Sequence, residues 1–130
     1  MSKGSTLKTL KSYYSLIQYC PDPARLECVN VGVLLLCPET GFLDAKLSQN
    51  DDRVQLLFGP NLDLVRFNAA KQAIKNRLKT ENIRDLKDLS EFIATRANEL
   101  RITQPRPVKV IRPDQALQDL FDGLVETKVF

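Results

Sequence analysis

The residues best able to do chemistry in this 130-residue chain are few, and none forms a familiar catalytic set. There is no histidine to serve as base beside a serine or cysteine nucleophile. No nucleophile elbow, phosphate-binding loop, dinucleotide fingerprint or calcium loop is present, and five glycines leave little material for a phosphate cradle. The carboxylates that cluster are Asp51-Asp52 and Asp85/Asp88/Glu91, the latter at helical spacing beside Arg84 and Lys87. Helix capping and dipole matching account for that second group without a metal. Catalytic residues, a metal site and a cofactor are therefore not expected.

Two constellations stand out. Arg25, Glu27 and Asn30 precede Val31-Gly32-Val33 in a strongly apolar segment. An amide there must be hydrogen-bonded, since an unpaired buried one costs about 1–3 kcal/mol. Either Asn30 ties neighbouring chain to the strand, with Gly32 admitting close backbone approach, or the three side chains line a polar site. The second constellation is Lys71, Lys75 and Lys79, four residues apart, with Arg101, Arg106, Lys109 and Arg112 following later. If the two basic groups met on one surface, they could track a phosphate backbone or a partner. Solvated surface is the competing reading, and interspersed Glu81, Asp85 and Asp88 favour it.

Bulk composition is that of one globular domain, 43% hydrophobic and 27% charged. The net charge of +3 is too small to argue for nucleic acid by itself. It is unevenly spread: residues 1–65 hold six basic and seven acidic side chains, and residues 66–130 thirteen and nine. Cys20, Cys28 and Cys37 are odd in number, lack a CxxC pair and are flanked by apolar or strand-forming residues, so buried free thiols are expected. That state suits a reducing compartment. The N-terminus lacks a signal-peptide core and the longest apolar run, Val31–Cys37, is too short to span a membrane, so a cytoplasmic protein is expected.

The elements that must position these residues follow from the pattern. Residues 1–11 read as a flexible basic leader and residues 12–128 as a single α+β domain. Tyr13 to Cys20 is aromatic and β-branched, and Pro21 and Pro23 end the strand. Residues 27–37 form a second strand, apolar on both faces and hence central. Pro38 to Gly41 is a turn, and residues 42–47 a returning strand. Residues 50–60 are irregular or briefly helical. Asn61 is expected to cap a helix to about Glu81, with Phe67, Ala70, Ile74 and Leu78 as its apolar stripe. A second helix, about Asp85 to Glu99, would bury Leu86, Leu89, Ile93 and Leu100. Residues 103–111 are extended around Pro105 and Pro107, and a last helix follows Pro113. The order β-β-β-α-α-β-α predicts an antiparallel sheet of three to four strands with helices packed mainly on one face. Val129-Phe130 is an apolar ending that suits a domain cut from a longer protein.

The stretch Tyr14 to Pro23, then Arg25, Glu27 and Asn30-Val31-Gly32-Val33, resembles the opening of the bacterial family known as domain of unknown function 3037. Leu100 to Pro107, Pro113-Asp114 and Leu117 to Phe121 resemble its later part. The resemblance implies no assigned activity. It implies an accessory or regulatory partner of a HipA-like kinase in a bacterial toxin, stress or defence setting, in a chain that continues past Phe130. Three functions then compete. They are a non-catalytic protein-interaction subunit, a nucleic-acid-binding accessory protein, and a cryptic enzyme built on Arg25, Glu27 and Asn30. The first predicts an exposed apolar patch or an open sheet edge.

Overall fold

The computed structural model describes residues 8–22, 27–49, 52–59, 62–94 and 100–125. Strand β1 runs Leu10–Asp22, β2 Glu27–Cys37 and β3 Phe42–Leu47. Helices α1 (Asp52–Phe58), α2 (Leu64–Thr80) and α3 (Leu86–Ala94) follow, then β4 (Leu100–Ile102), β5 (Arg106–Val110) and α4 (Pro113–Leu124). The antiparallel meander is as the sequence implied, with β2 the most buried strand and Gly41 taking φ 72° at the β2–β3 turn. Beside β2 lies β3, and on the far side of β1 lie β4 and β5, each paired to a different part of that long strand.

The α+β class and the antiparallel sheet are as expected, and the element count is larger. Residues 52–58 form a true helical segment, because Val54 and Phe58 at a spacing of four reach the core. Leu100 belongs to β4, opposite Tyr19, and not to the stripe of the preceding helix. That stripe is Leu89 and Phe92, with Ile93 half-buried and Leu86 exposed. The expected cap Asn61 lies outside the described residues. Asp63 caps α2, its carboxylate accepting from the Arg66 N–H at 3.1 Å.

Helices cover both faces of the sheet. On one face α1, α2 and α3 pack Val54, Phe67, Ile74, Leu78, Leu89 and Phe92 over the strands. On the other, α4 alone packs Leu117 and Phe121 over Val33 and Leu35. One residue of β2 is extra opposite Ile17/Gln18, so Val29, Val31, Leu34 and Leu36 all reach the first face. A Cβ on Gly32 would meet Leu47 Cδ2 at 2.6 Å and the Lys46 carbonyl oxygen at 3.0 Å. The close backbone approach expected at this glycine is real, and its neighbour is β3.

Candidate functional site

Asn30 sits at the bulged part of β2, on the α4 face. Its Oδ1 accepts from Gln18 Nε2 at 2.9 Å, and its Nδ2 donates to the Leu124 carbonyl at 3.2 Å. The amide thus ties β1, β2 and the last turn of α4 together, satisfying a carbonyl that the helix end leaves without an internal partner. Glu27 pairs with Asp22 in the backbone ladder at the start of β2, and Arg25 lies outside the described residues. What is described of this constellation is a structural tie.

The lysine row is not a free ridge. Lys71 is buried, 7% exposed, with its ammonium donating to the Ser48 carbonyl at 2.8 Å and lying 4.7 Å from the Phe67 ring centre. Lys75 donates to the Ala45 carbonyl at 2.8 Å and pairs with Asp44 at 3.6 Å. Of the three, only Lys79 is exposed. A cavity of about 550 Å³ lies between these lysines and the end of β3, with Asn68, Gln72 and Gln49 around it.

The second basic group lies at the other edge of the sheet. Arg101 is on β4, Arg106 and Lys109 on β5, and Arg112 at the N-cap of α4. All four are exposed. None makes an ion pair or side-chain hydrogen bond among the described residues. Strand order β3-β2-β1-β4 places β1 and β2 between this group and the lysines. Between β5 and α4 opens a cleft of about 530 Å³ with Val108, Val110, Ile111, Ala116 and Leu120 in its walls.

Asp85 and Asp88 form a helix start: the Asp88 N–H donates to Asp85 and the Arg84 N–H to Asp88, at 2.9 and 3.0 Å. Among the described residues no group of three His, Cys, Asp or Glu side chains could hold a metal, and no helix is long and apolar enough to cross a membrane.

The cysteines correct one expectation. Cys20 and Cys28 are joined in a disulfide, with Cα atoms 4.4 Å apart, instead of standing as free thiols. Antiparallel pairing of β1 with β2 brings them opposite one another, which counting cysteines did not show. Proximity is fixed by the fold, and the redox poise of the compartment sets whether the bond persists. Cys37 is a buried free thiol, as expected. Burial raises its thiol, but hydrogen bonds involving Ser12 and Thr40 outweigh this and leave it below the ordinary value. Enclosure still denies it a substrate.

A family model with the description "Protein of unknown function (DUF3037)" matches residues 14–125. The chain belongs to that family. The matched DUF3037 region spans every described element from β1 to α4 except the first residues of β1. Comparison with curated proteins and with solved structures finds no match.

Three exposed aliphatic side chains of this DUF3037 domain lie outside both constellations. Leu56 and Leu57 on α1 and Val65 in the first turn of α2 are 86%, 60% and 82% exposed. Their signal was available once residues 52–58 were read as helix. Val54 and Phe58 take the buried stripe, which leaves the adjacent Leu56 and Leu57 pointing away from it.

Proposed function

We propose that this DUF3037 domain is a non-catalytic protein-interaction domain, acting as a cytoplasmic accessory subunit. The observation that carries the reading is the trio of exposed aliphatic side chains Leu56, Leu57 and Val65. Large apolar side chains exposed on two consecutive helices suit removal from water by another protein. Burying all three on a partner would contribute on the order of 3–6 kcal/mol before the costs of association.

Of the two surfaces the reading allowed, an apolar patch and an open edge, the patch is the supported one. The edge of β3 is blocked at its middle, Ala45, by Lys75 and Asp44, and that of β5 carries Pro107 and Lys109, residues that discourage strand addition. The HipA-like kinase implied by the family resemblance is the first partner to test. Tagged protein is captured from native lysate at low and at 0.5 M salt, with and without nuclease. Stoichiometric recovery of one protein, insensitive to both and lost in a Leu56→Asp/Val65→Asp variant, supports the reading. Recovery unchanged by that variant counts against it.

A further inference from the structure

The cleft between β5 and α4 joins two independent features. Its walls are aliphatic: Val108 and Val110 from the strand, Ala116 and Leu120 from the helix, and Ile111, half exposed, at the turn between them. Its rim is basic. From Leu100 to Pro113 the chain holds Arg101, Arg106, Lys109 and Arg112 and no acidic residue. The one carboxylate at the cleft, Asp119, already accepts from Gln115 Nε2 at 3.0 Å.

We propose that this cleft binds a short acidic, apolar peptide segment of a partner protein. Its aliphatic side chains would fill the space between β5 and α4, and its carboxylates would meet Lys109 and Arg112, with Arg106 further along β5. The four cations have no intramolecular partner among the described residues, so they offer uncompensated charge to an acidic ligand. Aliphatic walls select apolar side chains. A single-stranded nucleic acid would be served by aromatic stacking platforms, and among the described residues no aromatic side chain lines this cleft.

Backbone pairing is not the basis of the binding. Leu16 directs its N–H and C=O to Thr103, so by alternation Ser12 and Tyr14 direct theirs to β5. Arg106, Val108 and Val110 therefore spend their backbone groups on β1, leaving outward only Lys109 and the donorless Pro107. Side-chain complementarity must supply the specificity.

The inference deepens the interaction reading by adding a second surface with its own ligand chemistry. Its test is selection from a random-peptide display library on the immobilised full chain. Enriched peptides are then measured by fluorescence anisotropy against the wild type and three variants. Enrichment of sequences pairing aliphatic residues with Asp or Glu is expected. Affinity should fall about tenfold or more in Ile111→Asp and in Arg106→Glu/Lys109→Glu/Arg112→Glu, and fall with added salt. These positions are exposed, so circular dichroism should show both variants folded. The Leu56→Asp/Val65→Asp variant should bind peptide within about twofold of wild type, separating this site from the α1–α2 patch. Three results would overturn the proposal. One is no enrichment, or enrichment indifferent to Ile111→Asp. Another is oligothymidine binding, in place of peptide, that the charge variant abolishes. The third is a sedimentation-detected dimer that Ile111→Asp dissociates.

Discussion

The ammonium of Lys75 donates to the carbonyl of Ala45 at 2.8 Å, across the gap between α2 and the outer edge of β3. Asp44, which pairs with Lys75, accepts from the Ala45 N–H at 2.8 Å. Register and alternation make Ala45 an outward-facing residue, with 42, 44 and 46 bonded to β2. Both of its outward backbone groups are thereby occupied, and Lys71 bonds the Ser48 carbonyl just past the strand, where the Ser48 N–H goes to Val31. A free edge is a template for unwanted pairing, and here Lys75 and Asp44 block it at Ala45.

Truncating these lysines should separate the clamp from ordinary surface charge. Lys71→Ala should cost about 2 kcal/mol and Lys75→Ala about 1 kcal/mol, while Lys79→Ala stays within about 0.5 kcal/mol. Urea unfolding followed by circular dichroism checks the ranking. Equal, small effects at all three positions would mean the clamp contributes nothing.

Asn30 makes a complementary case. Asn30→Ala leaves Gln18 Nε2 and the Leu124 carbonyl without their partner, and should cost about 1–3 kcal/mol. Ser15 is the contrast, since its buried hydroxyl lacks a hydrogen-bond partner among the described residues. Ser15→Ala should be neutral or stabilising by up to about 1 kcal/mol. Thermal melts of the two variants should move in opposite directions, or only the first should move.

Adding one methyl group at Gly32 tests the packing of β2 on β3. Gly32→Ala sets a Cβ 2.6 Å from Leu47 Cδ2 and 3.0 Å from a backbone oxygen. The side chain can shift, but the strand cannot do so freely, so a loss of about 1–3 kcal/mol is expected. Gly59→Ala, where nothing lies within 4 Å, is the control and should not destabilise comparably.

Sequence alone conveyed the strands better than the surfaces. The Pro38–Gly41 turn separates β2 from β3 by local chemistry, whereas β1 runs on through Pro21, expected to end it, and pairs as far as Asp22. The α2 stripe was legible at Phe67, Ile74 and Leu78, but Lys71 shares that face, and periodicity counts a lysine as solvent-facing. Its apolar stem can be buried while its ammonium finds a carbonyl, and only the neighbouring strand shows that. Asn30 was correctly read as needing a partner, whereas the identity of that partner, 94 residues on, depends on how α4 lands. The Cys20–Cys28 pairing needed the hairpin register, which a list of spacings does not contain.

Thiol counting tests the cysteine assignment. Protein purified without reductant should show no reactive thiol when native and one, Cys37, in denaturant. Reduction followed by denaturation should show three. Opening the bridge should cost about 2–3 kcal/mol, from loop-closure entropy over this short ring. Three reactive thiols without reductant would contradict the bond.

Site-specific photocrosslinking in the native cell tests the interaction reading most directly. A photoreactive residue is placed at Leu56, at Val65 and, as an exposed control, at Lys79. One discrete protein adduct is expected from positions 56 and 65, and none from 79. No adduct at 56 and 65, or the same diffuse labelling at all three, would contradict the claim that α1 and the start of α2 form a docking surface.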